Sequence, residues 1–205
     1  MSDTTIGEIN VSRETLERLT AYLELLKKWN PAINLVAKST IDHAWDRHFV
    51  DSAQVHRLMP ENCEKWCDIG SGGGFPGLVC ATLSMEFAPE TQFTLIESDQ
   101  RKAAFLRTVI TELGLNAQVF SKRIEEVDPV GADILSARAL APLSKLLEFS
   151  ERHLRHGGHA LFLKGASFRD EISESLKSWH FSYEERPSIT DPSAAILRIG
   201  DIKRV

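Results

Sequence analysis

The chain has 205 residues, 42% of them hydrophobic and 26% charged, enough to build one globular domain with a modest extension and no disulfide or metal staple. Lys and Arg number 24 against 29 Asp and Glu, and the net charge of −5 excludes a surface that attracts nucleic acid all over while leaving room for a local basic face. Apolar runs fall far short of the roughly 20 residues that span a bilayer. The N-terminus has neither a basic start nor an apolar signal core, so a cytoplasmic protein is expected.

In chain order, Leu16, Leu19, Tyr22, Leu23 and Leu26 recur at helical spacing after a cap at Ser12, and Pro31 predicts an end at Trp29-Asn30. A second helix is predicted from near Thr40, with Ile41, Trp45, His48, Ser52 and Val55 on one face. After residue 60 the period changes. Strands are predicted at Lys65–Ile69, Gln92–Glu97, Ala117–Phe120, Ala132–Ser136, His159–Lys164, Phe181–Glu185 and Ala194–Ile199, with helical patterns between the first five. Pro76 opens the first of these helices, Ser98 or Asp99 caps one that stops at Gly114, and Pro142 opens another before Gly157-Gly158. Such alternation builds an α/β fold with a mostly parallel sheet, whose last two strands form an antiparallel hairpin. The expected division is a helical cap over residues 1–60 and a ligand-binding domain over residues 61–205, as one compact unit.

The chemistry concentrates in Asp68-Ile69-Gly70-Ser71-Gly72-Gly73-Gly74-Phe75-Pro76-Gly77, directly after the first predicted long strand. Five glycines in eight residues let a ligand approach the backbone where a Cβ would collide. Two patterns overlap there. Gly72, Gly74 and Gly77 satisfy the dinucleotide fingerprint, which predicts an NAD(P)-binding oxidoreductase. Asp68, Gly70, Gly72 and Gly74 satisfy D-x-G-x-G-x-G, which resembles the first motif of class I methyltransferases that bind S-adenosylmethionine. Charge favours the second reading. A cationic sulfonium suits Asp68, whereas a diphosphate would meet no Lys or Arg between Asp68 and Thr94. Glu97, ending the next strand, can accept hydrogen bonds from both ribose hydroxyls under either reading. The segment Lys122-Arg123-Ile124-Glu125 follows the third strand of the alternation, where an adenine is expected. Leu135–Leu140 lacks the N/D-P-P-Y/F element used on exocyclic amines.

Three cysteines, Cys63, Cys67 and Cys80, lack a second pair at zinc spacing, and His153, His156 and His159 lack carboxylate or thiol partners, so no metal site is expected.

Seven segments occur in order: Trp29-Asn30 with Asn34-Leu35, Arg47-His48 with Asp51-Ser52, the glycine loop, Glu97-Ser98, Phe105-Leu106-Arg107, Ala137-Arg138-Ala139 and Leu163-Lys164-Gly165. Together they resemble the bacterial ribosomal RNA small subunit methyltransferase G (glucose-inhibited division protein B) family. The resemblance implies a class I, Rossmann-like seven-stranded sheet with an antiparallel last strand, preceded by N-terminal helices. It also implies S-adenosylmethionine-dependent methylation of guanine N7 in 16S ribosomal RNA, at the guanosine conventionally numbered 527, with naked RNA or a small-subunit particle as partner. By motif position it places cofactor contacts at Gly70, Phe75, Ile124, Glu125 and Arg138, to which class I analogy adds Asp68 and Glu97, and the loop pattern Gly72 and Gly74.

Guanine N7 carries an in-plane lone pair at neutral pH, so this transfer needs no general base, and His48 reads as a buried helix-face residue. The product base is cationic, so arginines and lysines are expected on phosphate or guanine O6, away from the sulfur. The candidates are Arg47, Arg101, Lys102, Arg123 and Lys164. The expected form is a monomer. A noncatalytic nucleotide- or RNA-binding module remains the third alternative.

Overall fold

The structure, a computed structural model, describes residues 4–205; residues 1–3, the start of the stretch scanned for a signal core, lie outside it. A small hairpin of β1 (Thr5–Ile6) and β2 (Ile9–Asn10), absent from the sequence reading, precedes helix α1 (Arg13–Ile33). Ser12 caps α1, its Oγ accepting the Thr15 N–H at 3.1 Å. The apolar stripe buries Leu19, Tyr22 and Leu26 fully, each side chain worth about 2 kcal/mol of transfer free energy.

Pro31 does not end the helix. It sits inside the last turns on an exposed flank, where its missing N–H removes only the bond to the Lys27 carbonyl. Termination comes from Asn34, left-handed at φ 49°, and from buried Asn30, whose Oδ1 accepts the Val36 N–H at 2.9 Å. The helix predicted from Thr40 is instead three pieces, a 3₁₀ turn (Lys38–His43), a wide π-type turn (Trp45–Val50) and α2 (Asp51–His56). Its apolar face survives the irregularity: Trp45 stacks on Phe49 at 5.4 Å, and Ser52 and Val55 are buried. The π-type turn puts the Arg47 carbonyl where it accepts Arg138 Nη1 at 3.2 Å, a local distortion that serves the crevice described below.

The alternation then runs β3 (Lys65–Ile69), α3 (Gly77–Phe87), β4 (Gln92–Ile96), α4 (Gln100–Leu113), β5 (Ala117–Phe120), β6 (Ala132–Arg138), α5 (Leu143–His153), β7 (Leu154–Lys164), α6 (Phe168–Ser175), β8 (Trp179–Pro187) and β9 (Ala195–Arg204). These seven strands form one sheet in the order β5-β4-β3-β6-β7-β9-β8, parallel from β5 to β7, with β9 antiparallel to both neighbours. The sheet is the one implied by the family resemblance, and β8–β9 is the expected hairpin.

Three local expectations are corrected. Between β5 and β6 lies only a 3₁₀ turn (Ile124–Glu126), because the short connection is broken by Pro129 and Gly131. α5 passes straight into β7, so Gly157-Gly158 lie within the strand and not in a loop before it; a Cβ on Gly158 would stand 2.8 Å from the Ala132 carbonyl. An additional helix, α6, precedes the hairpin.

One core packs α1, α3 and α4 against one sheet face, the other packs α5 and α6 against the opposite face. Strand order reverses between β3 and β6, and an open α/β sheet binds its ligand at the carboxyl ends of such a pair. No helix among the described residues is long and apolar enough to cross a membrane.

Candidate cofactor site and acceptor crevice

The loop after β3 is held from three sides. Gly70 N–H donates to the Ile96 carbonyl at 2.9 Å, Gly72 N–H to Glu97 Oε2 at 2.8 Å, and Ser71 Oγ to the Asp68 carbonyl at 2.9 Å. Tyr22 of α1 donates its hydroxyl to the Gly73 carbonyl at 2.5 Å and stacks on Phe75 at 5.5 Å, so the N-terminal helix is part of the loop's scaffold. Two of the glycines have separate jobs. Gly72, at φ 52°, faces open space, and among the described residues a Cβ there would find only the Gly70 carbonyl, at 3.8 Å; Gly74, at φ 91°, is pressed against the Tyr22 hydroxyl and Leu78.

Two cavities meet at this loop and share Gly70, Gly72, Lys102 and Ala139. The first, of about 390 Å³, is lined by Glu97, Arg123, Ile124, Glu125 and Leu140. Glu97 is buried; its Oε1 accepts the Asp99 N–H at 2.8 Å, and with Oε2 on Gly72 each oxygen keeps a lone pair. The second, of about 440 Å³, has a half-buried floor and a more exposed rim. Phe75, His48 and Arg138 form the floor, with the Arg138 guanidinium 4.9 Å above the Phe75 ring and 3.5 Å from Asp51 Oδ2. Arg47, Lys102 and Asp191 stand at the rim.

His48 is not simply a satisfied core residue. Its Nε2 lies 2.9 Å from Thr40 Oγ1, while Nδ1 is buried with no hydrogen-bond partner among the described residues. Burial, followed by the charges of Arg138 and Arg47, pushes the imidazole down to about 3, so it is neutral at physiological pH.

Asp68 and Gly74 line neither cavity, which corrects their placement as direct contacts. Asp68 lies beneath the loop, its Oδ1 accepting Ser136 Oγ at 2.6 Å, and burial raises its carboxyl to about 6 against the pull of its hydrogen bonds. Lys164 also departs from expectation. Its ammonium sits 2.7 Å from Glu171 Oε2 and donates to the Ala141 carbonyl at 3.1 Å, with the side chain 10% exposed. That cation ties β7 to α6 and lines a smaller cavity beside Arg138 and Ala139. Arg101 is exposed on the first turn of α4, 3.6 Å from Asp99 Oδ2, and lines neither cavity.

The sequence reading missed Ser136, which relays Trp66 Nε1 to Asp68, and the Ser188–Ala194 loop at the crevice. Thr190-Asp191-Pro192-Ser193 reads locally as an ordinary turn; only long-range packing carries it there. Cys63, Cys67 and Cys80 are free and buried, and no group of three His, Cys, Asp or Glu among the described residues is arranged to hold a metal.

This loop, the switch-point crevice and the reversed last strand define a Rossmann-like methyltransferase fold. A SAM dependent methyltransferase from Aquifex aeolicus shares it at a TM-score of 0.59, with 12% identity over 86% of this chain and 96% of that one. The chain belongs to the family described as rRNA small subunit methyltransferase G, which matches residues 15–197. Relatives called Ribosomal RNA small subunit methyltransferase G are 54% identical in Ruegeria pomeroyi, over 96% of both chains, and 55% identical in Rhodospirillum centenum, over 94% of this chain and 87% of the relative.

Proposed function

We propose that this protein transfers the methyl group of S-adenosylmethionine to N7 of a guanine in 16S ribosomal RNA, the guanosine conventionally numbered 527 by family resemblance. The observation that carries the cofactor is Gly72, whose missing side chain leaves open the junction of the two cavities while its N–H is fixed on Glu97. The residues fit the group. Ile124 and Glu125 border the space for adenine, Glu97 has lone pairs for the ribose hydroxyls, and the floor of Phe75, Arg138 and His48 offers the Arg138 guanidinium to the carboxylate of an amino-acid arm. The dinucleotide reading is weaker on charge: the buried Asp68 carboxyl lies beneath Gly77, behind the loop, and no Lys or Arg stands between Asp68 and Thr94 to meet a diphosphate.

Held by Glu97, Ile124 and Glu125, the cofactor would supply an electrophilic methyl group on cationic sulfur, open to in-line attack by the guanine N7 lone pair with the thioether as leaving group. The protein's part is alignment. The Glu97–Gly72 clamp holds the loop, the Tyr22–Gly73 bond fixes its far side, and Arg138, held by Asp51 and the Arg47 carbonyl, sets the floor. No residue is asked to remove a proton. Arg47, Lys102 and Arg123, at the mouths of the cavities, face the RNA, with exposed Arg101 beside them. Residues 1–60 act as a cap fused to the domain of residues 61–205, which the Tyr22 contacts support.

Incubation with methyl-labelled cofactor and small subunits lacking the modification, followed by digestion to nucleosides, tests the proposal. Label is expected to migrate with 7-methylguanosine; label on another nucleoside, or none on RNA, contradicts it.

A further inference from the structure

The wall of the second cavity includes a loop that the sheet itself does not place there. Residues 188–194, joining β8 to β9, are tied to α2: Ser188 and Thr190 donate their hydroxyls to Asp51 Oδ1 at 3.2 and 2.8 Å, and the Ile189 N–H donates to Gln54 Oε1 at 3.1 Å. This anchoring fixes Asp191 at the rim. Its Oδ1 accepts the Ser193 N–H at 2.9 Å and the Ser193 hydroxyl at 2.7 Å, while Oδ2 makes no hydrogen bond or ion pair among the described residues. The outcome is a carboxylate of fixed orientation with one open oxygen. Asp51, the other acid in this wall, has no such freedom, because Gln54, Ser188, Thr190 and Arg138 occupy it.

We propose that Asp191 reads the Watson–Crick edge of the methyl-accepting guanine and so sets base specificity. The inference rests on the guanine-N7 reading above and deepens it. With N7 turned inward to the junction at Gly70 and Gly72, the N1–H and N2–H₂ donors lie on the far edge of the purine and face the rim. The two lone pairs of an open carboxylate oxygen match those two donors. Adenine presents an acceptor at N1 in the same place, so the carboxylate repels it. The hydrogen bonds from Ser193, together with the Arg47 charge, hold the Asp191 carboxyl below the usual range and keep it an acceptor. As N7 gains its methyl the ring becomes cationic and its N1–H a stronger donor, so the contact strengthens in the transition state.

The decisive comparison uses small subunits reconstituted with guanine or inosine at the target position, since inosine keeps N7 and N1–H but lacks the 2-amino group. The wild-type protein is expected to favour guanine in kcat/KM by about tenfold. Asp191→Asn keeps the acceptor for Ser193 but turns a donor toward the base; it should erase that preference and leave the calorimetric affinity for S-adenosylmethionine unchanged. Asp191→Ala should behave the same way. A guanine preference that survives in both variants, or is missing from the wild type, overturns the proposal. So does a loss of cofactor affinity, which would put Asp191 on the cofactor's ammonium group. Failure of the wild type to methylate guanine N7 at all would instead sink the underlying functional reading.

Discussion

Glu97 and Gly72 hold each other: Oε2 of the carboxylate that follows β4 accepts the backbone N–H of the loop that follows β3, at 2.8 Å. The same carboxylate takes the Asp99 N–H, so it links the glycine loop to the start of α4 and retains one lone pair per oxygen. Glu97→Ala removes the clamp and the sugar acceptors together. Two charge-assisted bonds at roughly 1.5–3 kcal/mol each correspond to at least a hundredfold loss of S-adenosylmethionine affinity by calorimetry. Glu97→Gln keeps one acceptor and should lose less; equal losses in the two variants would argue against a ribose contact.

Gly72→Ala and Gly74→Ala should separate ligand space from packing space. At Gly72 the new methyl meets no close protein atom, so the stability cost is only about 1 kcal/mol for the left-handed backbone, while cofactor affinity drops. At Gly74 the methyl collides with Tyr22 and Leu78, and destabilisation of about 3 kcal/mol or more is expected. Urea unfolding beside calorimetry reads both effects, and the reverse ranking would mean that the two glycines are misassigned.

Much of this was legible in the sequence because the signals are local. The Ser12 cap, the leucine stripe of α1, Asp99 before α4 and the glycine loop each sit within a few residues of what they control. Pro31 misled because it lies on an exposed flank and Asn30 and Asn34 do the stopping. Within the site, Gly70, Gly72, Glu97, Ile124 and Glu125 line the first cavity, whereas Asp68 and Lys164 did not reveal their burial. Their partners, Ser136 and Glu171, are brought in by strand order and by an unforeseen helix, which no short window contains.

Acid should act on stability through opposed groups. His56, whose ring nitrogen lies 3.1 Å from Ser84 Oγ, is pushed down to about 4 by burial, so the unfolded chain takes its proton first and stability is lost as pH falls from 6.5 toward 4. Asp68, raised to about 6 by burial, works the other way: the folded state takes the proton first, adding stability as pH falls from 6 toward 4. Between pH 7 and pH 5, His56→Gln should therefore shrink the drop in urea midpoint and Asp68→Asn should enlarge it. Shifts of the opposite sign would refute the assigned burial effects.

Lys102→Ala should weaken binding to small-subunit RNA and make the log–log salt dependence shallower by about one, because its side chain stands at the junction of both cavities. Lys164→Ala leaves Glu171 without its cation and should lower stability while the salt slope stays unchanged. A changed slope for Lys164→Ala would return that residue to the RNA surface.

A crystal structure of the protein with S-adenosylhomocysteine is the sharpest check on this site. The adenine is expected against Ile124 and Glu125, both ribose hydroxyls on Glu97, and the sulfur at the junction beside Gly70 and Gly72. Density for the ligand elsewhere, or a ribose turned away from Glu97, would contradict it.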